Sequence, residues 1–483
     1  MTASPSYESL LGRRTEILSH SVGLDYEQFR RSRLAWDHEA LMGAVGYDID
    51  EIARIQLDNG VGATPMREAR NLTALVRRVA EPGSGARIFI KDEAANPSGS
   101  FKDRRASLSV YEAKQRGYAG AVAATSGNYG AAVASQAARA GLGCIVVQEA
   151  FDSRGIGQPE IIEKARACEE FGAEVIQCSV GPELFYLSLR LLEETGYFNA
   201  SLYTPFSVAG IETLGVEVAE DIRRLADRDP DVVVVTHAGG GNVTGTARGL
   251  RKAGAATTTV IAATVDLRGL HMASDHDFNR KSFTTGHSGF AFPFTVRPDR
   301  SDVPFNAARP LRYIDRMVIV SQGEVFYATE ALSKLEGMQR GPAGNTSLAA
   351  ALAIARELPE DAIVVVQETE YTGAGKHPWA QLAFAVANGV EVRTGSARDN
   401  VPGAVIAVPD DPRQLTVEEV DLGQVRRSYL RQALEGVEPE DLTDVDLAFL
   451  ADETRLQAHE VGELVAEGVE PAAQPSGAEV VET

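Results

Sequence analysis

The stretch VVVVTHAGGGNVTGTARG, residues 232–249, reads as a buried strand, a glycine turn and a helix in direct succession. Consecutive valines suit a strand covered on both faces. Gly239, Gly240 and Gly241 let the backbone come close to a ligand, and the helix that follows Asn242 aims free N–H groups and the positive end of its dipole at the same point. Such a turn suits a phosphate. Its spacing is neither GxGxxG nor GxxxxGK[ST], so the dinucleotide and P-loop fingerprints do not fit. A turn that merely reverses the chain is the competing reading.

The same alternation recurs on both sides of this stretch. Strand-type runs occur at GARIFIKDE, GAVAAT, CIVVQEA and AEVIQCSV before it, and at TVIAATVD, RMVIVS and AIVVVQE after it. Helix-type segments such as NYGAAVASQAARAG, QPEIIEKARACEEFG, ETLGVEVAEDIRRLA and TSLAAALAIAREL separate them. Val/Ile-rich runs divided by helices predict an α/β chain with parallel sheets covered on both faces. The expected organisation is an N-terminal helical layer (1–60), a large domain (61–94 and 216–394), a small α/β domain (95–215), an acidic C-terminal extension (395–470) and a disordered tail (471–483).

The chain has 483 residues and a formal charge of −21, which argues against a nucleic-acid partner. Cys144, Cys168 and Cys178 form no CxxC pair and offer no disulfide framework, as a reducing, cytoplasmic compartment would favour. The first residues lack the apolar core of a signal peptide, and no window suits a membrane helix. His271, His276 and His287 lie among glycines and aromatics without a firm ligand spacing, so no metal is expected.

Two further strings stand where α/β folds place ligands, after strand ends. In KDEAANPSGSFKDRRA, residues 91–106, Lys102 opens a helix. A lysine there opposes the helix dipole, which favours the neutral amine needed to attack a carbonyl. A solvated surface lysine is the plainer alternative. In AATSGNYGAA, residues 123–132, Thr125, Ser126, Gly127 and Asn128 end a strand and open a helix. Their N–H groups suit a carboxylate or phosphate, and equally an ordinary N-cap.

Together and in this order, SGSFKDR, TSGNYG and AGGGNVTG resemble the fold-type II pyridoxal-phosphate (PLP) enzymes, the tryptophan synthase β-like class. EGMQRGPAGNTSLAAALA, beginning at Glu336, and IVVVQET, ending at Thr369, resemble later segments of the same class. The resemblance covers about residues 60–390 and implies two open, twisted, mostly parallel sheets flanked by helices. It also implies the site residues. Lys102 would be the Schiff-base lysine and proton shuttle, and Asn128 would bond the ring hydroxyl. Thr125, Ser126 and Gly127 would hold the substrate carboxylate, while Gly239, Gly240, Gly241 and Asn242 would cradle the phosphate. Thr369 would contact the ring nitrogen, with Thr372 as its rival.

Residues 267–295 and QETEYTGAGKHP, residues 367–378, are additions to the usual pattern. With LEGMQRGPAGN, the second addition resembles the β subunits of 2-amino-4-oxopentanoate thiolases. That resemblance implies cleavage of a 2-amino-4-keto acid by coenzyme A to alanine and acetyl-CoA, a small α-subunit partner and a homodimer of this chain. A PLP-dependent amino-acid lyase or β-replacement enzyme, of threonine synthase, dehydratase or diaminopropionate ammonia-lyase type, is the alternative. Candidates for the coenzyme A phosphates are Arg104, Arg105, His271, Lys281 and Lys376, though exposed Arg and Lys are ordinarily just solvated.

Overall fold

The computed structural model describes residues 6–125, 127–151, 155–157, 159–179, 183–266, 295–296, 308–371, 378–401 and 404–468. Among these residues the strands are β1 (Met66–Glu68), β2 (Arg87–Asp92), β3 (Gly120–Thr125), β4 (Gly143–Phe151), β5 (Glu174–Ser179), β6 (Phe198–Asn199), β7 (Val232–Thr236), β8 (Thr259–Val265), β9 (Arg316–Val320), β10 (Ile363–Glu368), β11 (Glu391–Thr394), β12 (Val405–Val408) and β13 (Glu418–Glu419).

A large sheet has the order β1-β2-β10-β7-β8-β9-β13 and a smaller one the order β5-β4-β3-β6. From β2 to β9 the large sheet is parallel, and only its edge strands β1 and β13 run antiparallel. The small sheet is parallel throughout. The architecture is therefore the fold-type II one expected from the sequence.

The valine runs explain why the large sheet is central. Val364, Val365 and Val366 pair in register with Val232, Val233 and Val234. Side chains alternate between faces with the period of two that a strand imposes. Ile88, Val234 and Val364 pack with Leu348 and Leu352 of the helix Thr346–Glu357 on one face. Phe89, Val233 and Val365 pack with Ile211 and Val243, of the helices Pro205–Ala226 and Gly241–Lys252, on the other. Both faces are dry, so the strands carry no polar face to water.

The flanking segments also fold onto this body. Asp48 and Glu51 form a capping box that starts the helix Ile49–Asp58, whose Ile52 and Ile55 pack against Leu108 and Val110. Tyr26, Trp36 and Leu41 near the N-terminus share a core with Tyr429, Leu430, Phe449 and Leu450 near the C-terminus. The β11–β12 pair spans residue 395, and β13 adds to the large sheet beside β9. None of the described helices is long and apolar enough to cross a membrane.

Candidate active site

Parallel strands deliver their following loops to one end of a sheet, so the loops after β2, β7 and β10 meet. The loop after β2 carries Lys102, the first residue of the helix Lys102–Gln115. It is stitched to the end of β10: Phe101 N–H donates to the Thr369 carbonyl at 3.1 Å, and Tyr371 N–H donates to the Gly99 carbonyl at 2.7 Å. Gly99 has φ +78, and a Cβ there would overlap the Tyr371 carbonyl, so this close approach requires glycine. Lys102 and Thr369 are thereby held on adjoining backbone. Lys102 is half-buried, with its amine 5.8 Å from the centre of the Phe101 ring.

Behind Lys102 the helix is anchored by a buried ion network. The fully buried Arg104 guanidinium bonds Glu93 at 2.7 and 2.8 Å and Glu217 at 2.8 Å. Lys91 bonds Glu217 and Asp221, each at 2.8 Å. Burial alone would push the Glu217 carboxyl up, but Arg104 and Lys91 outweigh it and hold it well below the usual range. Arg104, a sequence candidate for coenzyme A phosphates, is thus committed to two carboxylates. The next residue back, Asp103, accepts from Ser98 N–H at 2.7 Å and from Gln136 at 3.2 Å.

The loop after β3 comes from the small sheet. The Thr125 hydroxyl oxygen accepts from Gly127 N–H at 3.0 Å and from Gly130 N–H at 3.3 Å, which fixes the turn. Asn128 opens the helix Asn128–Ala140, buried, and its Oδ1 has no hydrogen-bond partner. Ser126 and the rival Thr372 lie outside the described residues, as do His271, His276, His287, Lys281 and Lys376.

The glycine turn follows β7 as the sequence suggests. Gly240 takes φ +90 as N-cap of the helix Gly241–Lys252, with no side chain capping the free N–H groups. A Cβ at Gly239 would overlap the Tyr203 hydroxyl, and one at Gly241 would lie 2.5 Å from Nη2 of Arg105. Asn242 Nδ2 is buried and unpartnered. At the end of β10, Thr369 is buried, its Oγ1 beside Gly344. Glu336, which begins the segment read after the glycine turn, ends the helix Gln322–Glu336 and accepts from the N–H groups of Asn71 and Leu72 at 2.8 and 2.9 Å.

Sequence reasoning missed two buried groups here. Lys164 projects from the helix Pro159–Glu170, and its amine lies 3.2 Å from the position a Cβ would take at Gly127. It pairs with Glu160 at 2.5 Å and Glu370 at 3.9 Å. Glu368 is fully buried, and neither of its carboxyl oxygens has a hydrogen-bond partner. Burial raises its pKa well above the ordinary value, with Glu370 and Asp92 adding to the rise and Arg340 opposing it. Lys164 lies on an amphipathic helix and looks like part of a solvated face, and Glu368 ends an apolar strand, where a charged residue ordinarily marks the exit to solvent, so no sequence signal marked either. Cys144 and Cys168 behave as apolar residues: burial pushes their thiols up to about 12.

An amine at a helix start, an unpartnered buried amide and a glycine cradle with unpaired N–H donors match the aldehyde, hydroxyl and phosphate of PLP in kind. The unsatisfied Oδ1 of Asn128 and Nδ2 of Asn242 point the same way, because buried polar atoms rarely go without partners.

A family model described as "Pyridoxal-phosphate dependent enzyme" matches residues 57–369. Two relatives carry the name "2-amino-4-ketopentanoate thiolase beta subunit". One, from an unknown prokaryotic organism, is 63% identical over 95% of this chain and 97% of its own. The other, from Acetoanaerobium sticklandii, is 59% identical over 94% of this chain and 97% of its own. Among solved structures, maize serine racemase superposes with a TM-score of 0.53 at 20% identity, covering 70% of this chain and 98% of that one. The T.th. threonine deaminase does so with a TM-score of 0.51 at 25% identity, covering 66% and 96%. The chain belongs to the pyridoxal-phosphate-dependent enzymes of fold type II and, within them, to the family of 2-amino-4-ketopentanoate thiolase β subunits.

Proposed function

We propose that this chain is the PLP-bearing β subunit of a thiolase that cleaves 2-amino-4-ketopentanoate, or a related 2-amino-4-keto acid, with coenzyme A to give alanine and acetyl-CoA. It works with a small α subunit, as a homodimer of β chains in the cytoplasm. The observation that carries this reading is identity of 63% and 59% over nearly the whole chain to two proteins of that name.

PLP, when bound, acidifies the Cα–H of the amino acid it holds and takes up the electrons released there. The protein's task is placement. The Lys102 amine would hold the cofactor and would serve as the base that takes the Cα proton and gives a proton back. Thr125, Ser126 and Gly127 would hold the substrate carboxylate, with the Lys164 amine, paired to Glu160 and Glu370, packed behind Gly127. Asn128 would bond the ring hydroxyl, Gly239–Asn242 would hold the phosphate, and a threonine hydroxyl, of Thr369 or Thr372, would serve the ring nitrogen. A hydroxyl there does not keep that nitrogen charged. The coenzyme A thiolate attacks the C4 carbonyl, the C3–C4 bond breaks, and C3 gains the proton that completes alanine. The acetyl group leaves on sulfur, so atoms and charge balance. With thiols so hard to ionise, Cys144 and Cys168 are poor acyl carriers, which favours direct attack by coenzyme A.

The test is to purify the chain with and without the product of its neighbouring gene, add 2-amino-4-ketopentanoate and coenzyme A, and assay acetyl-CoA and alanine. Equimolar acetyl-CoA and alanine are expected. Release of ammonia without coenzyme A would overturn the thiolase reading in favour of a lyase.

A further inference from the structure

Arg104 and Arg105 are neighbours in sequence and opposites in environment. Arg104 meets two carboxylates. Arg105 is only 4% exposed, yet among the described residues no carboxylate pairs with it. Its Nη1 donates to the Leu202 carbonyl at 3.0 Å, and its Nε has no partner. Burial lowers its pKa, with Tyr203 and Tyr129 opposing the shift and no acid contributing. A buried guanidinium without an anion is costly and rare.

Its position says which anion is missing. Arg105 stands three residues after Lys102, on the same face of the helix Lys102–Gln115. Both side chains lean back over the Phe101 ring, with the Arg105 Cζ at 5.5 Å and the Lys102 Nζ at 5.8 Å from its centre. Its Nη2 lies 2.5 Å, and its Nη1 3.0 Å, from where a Cβ would stand at Gly241. Gly241 is the first residue of a helix whose N-terminus is itself positive. Two positive features therefore meet at the glycine turn, an arrangement that is favourable with a dianion bound beside both. The Tyr203 hydroxyl lies against Gly239 of the same turn.

We propose that Arg105 is the counter-charge of the cofactor phosphate: its planar fork completes, with the N–H groups of the glycine turn and the Tyr203 hydroxyl, a dianion site one helical turn from Lys102. Arginine suits this role because its guanidinium matches two phosphate oxygens at once. The inference rests on the PLP reading and adds to it. The glycine turn alone supplies dipoles, whereas Arg105 supplies a full charge and so a stronger preference for the phosphorylated form of the vitamin.

The experiment compares PLP with pyridoxal, which has the same aldehyde and no phosphate. Apo wild-type protein, Arg105→Gln and Arg105→Lys are titrated with each, and binding is read from the visible absorbance of the lysine adduct. Arg105→Gln is expected to weaken PLP by about 10- to 100-fold, as loss of a charge-assisted bidentate contact implies, and to leave pyridoxal within about twofold. Arg105→Lys should fall between. In the wild-type holoenzyme, the ³¹P resonance should show a phosphate that stays dianionic well below its ordinary pKa of about 6. That measurement decides the matter even if Arg105→Gln does not fold. Equal weakening of both ligands, or a ³¹P titration at the ordinary pKa, would overturn the assignment. So would an unchanged PLP-to-pyridoxal ratio with a raised KM for coenzyme A, which would give Arg105 to the phosphates of the thiol substrate. Failure of wild-type protein to form any adduct would instead refute the PLP reading itself.

Discussion

The Lys164 ammonium lies 3.9 Å from the Glu370 carboxylate, joining a helix of the small sheet's layer to the chain leaving β10 of the large sheet, with both side chains at most 6% exposed. The same ammonium is 2.5 Å from Glu160 and abuts Gly127 in the loop read as the carboxylate site. One buried cation thus ties the two sheets together where the substrate is expected to bind.

Removing that cation should expose the cost of the acids it neutralises. Lys164→Met leaves Glu160 and Glu370 buried without it and is expected to destabilise the apo protein by about 3–5 kcal/mol in urea unfolding. Lys164→Met combined with Glu160→Gln should recover most of the loss. The double variant, still folded, should then show a KM for the amino acid raised about tenfold or more with a smaller change for coenzyme A. A single variant as stable as wild type would remove the basis for both expectations.

The two buried glutamates near the site should respond oppositely to amidation. Glu93 pairs with the buried Arg104 at 2.7 Å, so Glu93→Gln leaves a buried guanidinium short of charge and should cost about 3–5 kcal/mol. Burial raises the pKa of Glu368 well above the ordinary value, and among the described residues no ion pair joins it, so Glu368→Gln breaks no salt bridge. Its effect on unfolding near neutral pH should stay within about 1 kcal/mol. Equal losses for the two variants would contradict this account.

Asp103 sets a pH dependence next to Lys102. Burial pushes its carboxyl up to about 6, against hydrogen bonds from Ser98 and Gln136 that pull it down. Between the ordinary value of 3.8 and about 6 the folded protein keeps a proton that the unfolded chain has lost. The stability this gives is complete below the lower value and is lost as pH rises through the upper one. From about pH 4 to about pH 7, wild type should therefore lose about 2 kcal/mol relative to Asp103→Asn, which cannot titrate. Urea unfolding of both apo proteins across that range measures it, and a constant difference would show that Asp103 has an ordinary pKa.

The glycine turn allows a steric test. Gly239→Ala places a methyl group into the Tyr203 hydroxyl, so the turn must move. PLP affinity should fall about tenfold or more, while apo stability falls by about 1–3 kcal/mol, the usual cost of overpacking. Unchanged PLP affinity, measured by reconstitution of the apo variant, would show that the turn does not hold the phosphate.

Much of this fold was legible because its strands are buried on both faces. The valines of β7 and β10 have no polar alternation to blur them, and their limits match the structure closely. The short edge elements β1, β6 and β13 span two or three residues and exist only through pairing with a neighbour, so no local pattern announces them. Within the candidate site, the positions of Lys102 and the glycine turn at helix starts were legible because each follows an apolar strand and a glycine-containing turn. The split between Arg104 and Arg105 was not: adjacent arginines on one helix look alike until distant residues, Glu217 for one and Gly241 for the other, are brought to them. Lys164 was hidden for the same reason, its neighbours Gly127 and Glu370 being remote in sequence.

The most direct test of the central claim is chemical labelling of the wild-type protein. Reconstituted with PLP and reduced with borohydride, it should carry one pyridoxyl group per chain, on the peptide containing Lys102, and Lys102→Ala should carry none there and lack activity. A label on another lysine, such as Lys164 or Lys91, or no label with full retention of activity, would contradict the account.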